Sequence, residues 1–186
     1  ISMTNIITKR ITKLTTIAML TALAVALTAI IHFPIIPAAP FLEYDPADIP
    51  VLVGTFLFGP WVGLGLTVLV SLAQGLTVSA ASGPIGIIMH ILATGAFSVI
   101  AGTVYQKKRT YGGAILGLAL GALAQTVVMC GCNLVLTPIF LGSSVDEVIK
   151  LLVPAIIPFN LIKALTNSAA TLVLYRPVCH FLSKKA

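Results

Sequence analysis

The chain has 186 residues, 58% of them hydrophobic and 9% charged, with a net charge of +6, and its mean hydropathy is +1.09. A soluble domain carries about a quarter charged residues, so this composition excludes a water-soluble fold and describes an integral membrane protein of one domain, residues 1–186. So few charges leave no basic face to track phosphates, which excludes nucleic acid as a partner.

In chain order, Lys9, Arg10 and Lys13 precede an apolar run from Leu14 to Ile31. That run exceeds the about 7–15 residues of a signal-peptide core and no small-x-small site follows it, so a retained first helix over about 13–31 is expected. A loop from Phe41 to Pro50 carries Glu43, Tyr44, Asp45 and Asp48. It reads either as a solvated acidic loop or as a lid. No charged residue then occurs from Ile49 to Gln106, from Thr110 to Val145, or from Leu151 to Tyr175 apart from Lys163.

Turn chemistry divides these runs. Gly59-Pro60 and the stretch Ser79 to Pro84 are breaks, because proline removes a donor and restricts the residue before it. The predicted helices are about 47–58, 60–78, 84–105, 112–138 and 158–180, with Pro154 and Pro158 bracketing a loop before the last. The second, of about 12 residues, must pack inside the bundle or be extended by the preceding loop.

Charge placement decides between five passes and six. With six passes and both termini cytoplasmic, Lys9, Arg10, Lys13, Lys107, Lys108, Arg109, Arg176, Lys184 and Lys185 all lie inside, and all five acidic residues lie outside. Five passes would break the positive-inside rule. The fold class is therefore all-α, with six transmembrane helices and cytoplasmic N- and C-termini, in a multi-pass protein of the cell membrane.

An ionisable side chain in hydrocarbon usually marks function. Lys163 stands about one to two turns into the last helix, and Asn160, Lys163 and Asn167 share a face that Thr171 continues. The alternative is that Lys163 snorkels to headgroups while the asparagines join helices. Asn133, Gln74, Ser71 and His90 fall near the same outer end of other helices, and Glu43 and Tyr44 in the loop above them. The substrate-binding set is accordingly Asn133, Asn160, Lys163, Asn167, Glu43, Tyr44, Gln74 and His90.

Several chemistries lack their residues. There is no Walker loop, no G-x-S-x-G, no H-E-x-x-H, and no His or Cys cluster to complete a metal site. Cys130, Cys132 and Cys179 read as buried free thiols. Uphill transport would draw on a partner or an ion gradient, and the second is weakened because no Asp or Glu falls inside a predicted helix core to relay protons. Ala18, Ala22 and Ala26 repeat at i, i+4, i+8 on the first helix, and Gly117 and Gly121 on the fifth; small residues let helices approach closely in lipid.

These residues resemble the substrate-binding S components of energy-coupling factor (ECF) vitamin transporters, and among them the riboflavin-binding RibU type. The similarity runs from the first helix to Arg176. It is carried by Leu42-Glu43-Tyr44-Asp45 through Asp48-Ile49-Pro50, Phe58-Gly59-Pro60, Gly83-Pro84-Ile85-Gly86, Asn133-Leu134 through Pro138, and Ile157-Pro158-Phe159-Asn160-Leu161-Ile162-Lys163. The resemblance implies a non-enzymatic six-helix subunit that binds riboflavin at its outer face. It implies a transmembrane coupling subunit and two ATPase subunits as partners, with ATP used by those partners and no cofactor in this chain. It places Asn133, Asn160 and Lys163 against the ligand and makes Ala18, Ala22 and Ala26 the docking surface. Another vitamin such as pantothenate, a stand-alone permease, or a membrane enzyme using Glu43, Asp45 or His90 are the competing readings.

Overall fold

A computed structural model describes residues 3–183. Lys184 and Lys185 lie outside the described residues, as do the side chains of Arg176 and Cys179. All six predicted helices are present. They are α1 (Met3–Ile30), α2 (Asp48–Phe58), α3 (Pro60–Gly75), α4 (Gly83–Lys107), α5 (Tyr111–Leu141) and, last in the chain, α7 (Ile157–Ser183). An unpredicted short helix, α6 (Val145–Leu151), precedes α7.

The breaks form where backbone chemistry requires them. Gly59 adopts φ 97° between α2 and α3, a conformation open to glycine, and Pro60 then occupies a position where its missing N–H costs nothing. Thr110 caps α5 by accepting from the Gly113 N–H at 3.1 Å, and Gly142 closes the helix in the left-handed region.

Two expectations need correction. Pro138 does not end α5, which runs three residues further to Leu141. Pro154 and Pro158 do not bracket a loop: Leu152–Ile156 form a π-helical turn that joins α6 to α7 in one helical path. Pro154 has no N–H for a regular i→i−4 bond, and a wide turn absorbs the defect. The boundary is set earlier, by a Ser144–Glu147 capping box at the head of α6.

Four helical segments are long and apolar enough to cross a membrane: Ile6–Ile30, Ala80–Lys107, Tyr111–Leu141 and Val145–Tyr175. The two short helices, α2 and α3, lie among them. Eleven residues give α2 only about 16 Å. Nine of its residues, Asp48 to Phe56, are buried, so it packs inside the bundle.

α4 and α5 pack most closely, because Gly117 and Gly121 present no side chain. A Cβ on Gly117 would stand 2.7 Å from the Ala101 carbonyl oxygen, and one on Gly121 would run into the Phe97 ring. Around this seam lies a core of Leu52, Phe56, Phe97, Ala101, Tyr105, Leu118 and Ala164. The Tyr105 and Tyr175 hydroxyls pair at 2.6 Å, and Lys13 stands over the Phe58 ring. These contacts gather the head of α1, the α2–α3 turn and the α4–α5 turn, with its Lys107-Lys108-Arg109 cluster, at one end of the bundle.

The opposite end is covered by the segment between α1 and α2. It is no solvated acidic loop. Two short strands, β1 (Phe33–Pro34) and β2 (Glu43–Tyr44), pair antiparallel, a small exception to the all-α reading. Ala39 and Leu42 bury against Val148, Ala155, Ile156 and Phe159. On α1, Ala24 and Thr28 face the bundle, while Ala18, Ala22 and Ala26 are exposed.

Candidate functional site

A cavity opens at this covered end. Its roof is the α1–α2 segment (His32, Phe41, Leu42, Glu43, Asp45), and its walls come from the end of α3, the head of α4, the far half of α5 and the head of α7. Of the eight predicted ligand residues, Asn133, Asn160, Lys163, Glu43, Gln74 and His90 line it. Asn167 and Tyr44 do not; they stand behind the wall, bonded to each other through the Tyr44 hydroxyl and Asn167 Oδ1 at 3.0 Å.

The periodicity on α7 is realised as expected. Asn160, Lys163, Asn167 and Thr171 are all buried on one face. Lys163 does not snorkel. Its Nζ donates to Asp45 Oδ2 at 2.6 Å, and both side chains are about nine-tenths covered. The Ala47 N–H donates to the other carboxylate oxygen at 3.0 Å. Burial alone would raise the Asp45 carboxyl, but the Lys163 ammonium overrides it and holds the group below its usual range. Asn167 Nδ2 adds a bond to the Asp45 carbonyl, so that with the Lys163 and Tyr44 bonds the roof is fastened to α7 by three hydrogen bonds. Burial pushes the Tyr44 phenol above its ordinary value, so it remains a donor to Asn167.

Asp48 overturns the expectation that no carboxylate lies in the helical interior. It is fully buried at the head of α2. It accepts from Thr94 Oγ1 at 2.7 Å, Asn167 Nδ2 at 3.1 Å and Gln125 Nε2 at 3.4 Å, and His90 Nε2 stands 3.7 Å away. One carboxylate thus ties α2 to α4, α5 and α7. A buried charge persists only where hydrogen bonds replace water, and these supply them.

The asparagines keep their places by local bonds, and the other predicted residues by bonds between elements. Asn133 donates to the Met129 carbonyl and accepts from Thr137, both at 2.8 Å. Asn160 donates to the Ile156 carbonyl at 2.8 Å. Each amide has two N–H groups, so one is left to reach a ligand. Gln74 donates to Thr28 on α1, Ser71 pairs with His90 Nδ1 at 2.7 Å, and Glu43 pairs with His32 at 2.9 Å.

The ligand set read from sequence omits Asp45, Asp48, Thr94 and Gln125, and the segment that holds the two carboxylates reads there as either a solvated loop or a lid. Signals were present. Gln125 is eight residues before Asn133, and Thr94 four after His90, each pair on one helical face. Chemically, the cavity offers apolar walls with a few convergent amides, a histidine and a neutralised lysine, the make-up of a small-molecule binding site.

Residues 12–175 match the family model described as "ECF transporter, substrate-specific component". The chain is 34% identical over 178 residues to the riboflavin transporter RibU of Staphylococcus aureus (strain TCH60), covering 92% of this chain and 93% of that protein. It is 27% identical over 164 residues to the riboflavin transporter FmnP of Bacillus subtilis (strain 168), covering 84% and 86%. It superposes with a TM-score of 0.81 and 34% identity on a solved S component of a bacterial ECF transporter, covering 93% of this chain and 98% of that one.

Proposed function

The chain belongs to the family of substrate-specific components of ECF transporters, and on that premise we propose that it captures riboflavin at the extracellular face for ATP-driven uptake by partner subunits. The reading rests above all on the buried Asn133, Asn160 and Lys163 side chains lining one cavity, in a chain similar throughout to proteins named riboflavin transporters. A flavin presents a flat tricycle for the apolar walls and an edge of alternating donors and acceptors that an amide can match.

Six crossings orient the site. The positive-inside rule puts the α4–α5 turn and the head of α1 in the cytoplasm, and with them both termini, so the cavity faces outward. The exposed Ala18, Ala22 and Ala26 face of α1 is the docking surface for a transmembrane coupling subunit, which associates with two ATPase subunits. Riboflavin is cargo here rather than cofactor, and ATP is hydrolysed by the partners. Pantothenate is disfavoured by the Lys163–Asp45 pair, because a ligand carboxylate would have to displace Asp45 from a contact of 2.6 Å.

The test is a titration of the purified protein followed by flavin fluorescence, repeated with pantothenate as competitor. Saturable binding that pantothenate does not displace is expected. Absence of binding at micromolar flavin, or displacement by pantothenate, overturns the ligand. Flavin uptake that persists in cells lacking every ECF ATPase overturns the partner-driven mechanism.

A further inference from the structure

The inner end of the cavity is short of donors. The Ser71 hydroxyl donates to the Thr67 carbonyl at 2.6 Å, so toward His90 it accepts the Nδ1–H. The Thr94 hydroxyl is engaged by Asp48, and Asn167 Nδ2 is divided between Asp48 and the Asp45 carbonyl. His90 Nε2 has no hydrogen-bond partner but stands 3.7 Å from Asp48 Oδ1, so the group it faces is that carboxylate.

Gln125 leaves an acceptor open, with its orientation fixed. A carboxylate only accepts, so the amide must turn its nitrogen to Asp48, and the reverse orientation would set two oxygens against each other. Its Oε1 is therefore held on the far side of the group. That oxygen is buried and unpartnered, in a residue 3% exposed that lines the cavity. Buried acceptors in folded proteins are nearly always paired, and one left unpaired calls for a partner.

We propose that Gln125 Oε1 forms an inner acceptor subsite that takes a hydrogen-bond donor of the ligand, with Asp48 as the residue that positions the Gln125 amide. The inference rests on the reading of the ligand as riboflavin and names what distinguishes it from other flat ligands. Two donor groups of that ligand meet the requirement: the imide N–H of the ring and the hydroxyls of the tail.

The experiment titrates the purified protein with riboflavin, with N3-methylriboflavin, which lacks the imide donor, and with lumiflavin, which lacks the tail hydroxyls. Gln125→Met keeps the side-chain length and removes the acceptor. Riboflavin affinity is expected to fall roughly tenfold or more, while at least one analogue, already weaker on the unaltered protein, loses nothing further. The analogue that is spared identifies the donor that Gln125 receives. Unchanged riboflavin affinity, or equal losses for all three flavins, overturns the subsite. If Gln125→Met does not fold, Asp48→Asn carries the same comparison, since it frees the amide to turn. A wild-type protein that binds no flavin removes the functional reading and this inference together; flavin binding indifferent to Gln125 removes the inference alone.

Discussion

Lys163→Met separates the electrostatic role of Lys163 from its bulk, because methionine keeps most of the stem and loses the ammonium. In the native fold Lys163 and Asp45 meet at 2.6 Å, with side chains 10% and 11% exposed. Removing one member of a buried pair costs about 3–5 kcal/mol, since the other charge is left without compensation. Asp45 keeps the Ala47 N–H on Oδ1, which places the expected loss nearer about 3 kcal/mol. The assay is thermal unfolding in detergent at a series of pH values. The folded Asp45 carboxyl lies below its ordinary value, so its contribution to stability is present above the ordinary carboxylate pKa of about 4 and disappears as pH falls through the lower folded value. Without the ammonium, burial raises the carboxyl instead, and acid protonates it at little cost. The deficit of Lys163→Met is therefore largest at neutral pH and shrinks on acidification, and adding Asp45→Asn recovers part of it. A deficit that is absent at pH 7, or that neither acid nor the second substitution reduces, refutes the buried pair.

Further outcomes follow from other contacts. Asn133→Ala and Asn160→Ala each weaken riboflavin binding by roughly tenfold in the same titration, as each removes an amide from the cavity wall. Gly117→Val abolishes the folded protein, seen as loss of the monodisperse peak on size exclusion, because its Cβ alone would stand 2.7 Å from a backbone oxygen. Ala22→Trp leaves flavin binding unchanged and abolishes uptake in cells, because it alters only the exposed face of α1.

Some of this chain is legible in its sequence alone. The charge-free runs and the Gly59-Pro60 and Ser79–Pro84 breaks located six helices to within a few residues at most ends, because helix-ending chemistry is local. α1 was the exception: it begins at Met3, ten residues before the expected start. Polar residues before Lys13 hide a helix that hydropathy alone does not mark. The face shared by Asn160, Lys163 and Asn167 was equally legible, since 3.6 residues per turn fixes it whatever surrounds the helix.

The fate of the acidic segment was not. Glu43, Asp45 and Asp48 stand within six positions of one another, yet Glu43 pairs with His32 at the rim, Asp45 is buried against Lys163, and Asp48 is buried among Thr94, Gln125 and Asn167. The partners of Asp45 and Asp48 lie 46 to 119 positions away along the chain.

Local sequence thus determined which segments are helical, where they break and which face of α7 is polar, because helix periodicity and turn geometry act over a few residues. Only the tertiary structure decided that Lys163 is neutralised, that Asn167 and Tyr44 stand behind the wall rather than in it, and that Asp48 organises its inner end. A carboxylate's protonation and role depend on which donors arrive from other helices, and that is settled by packing.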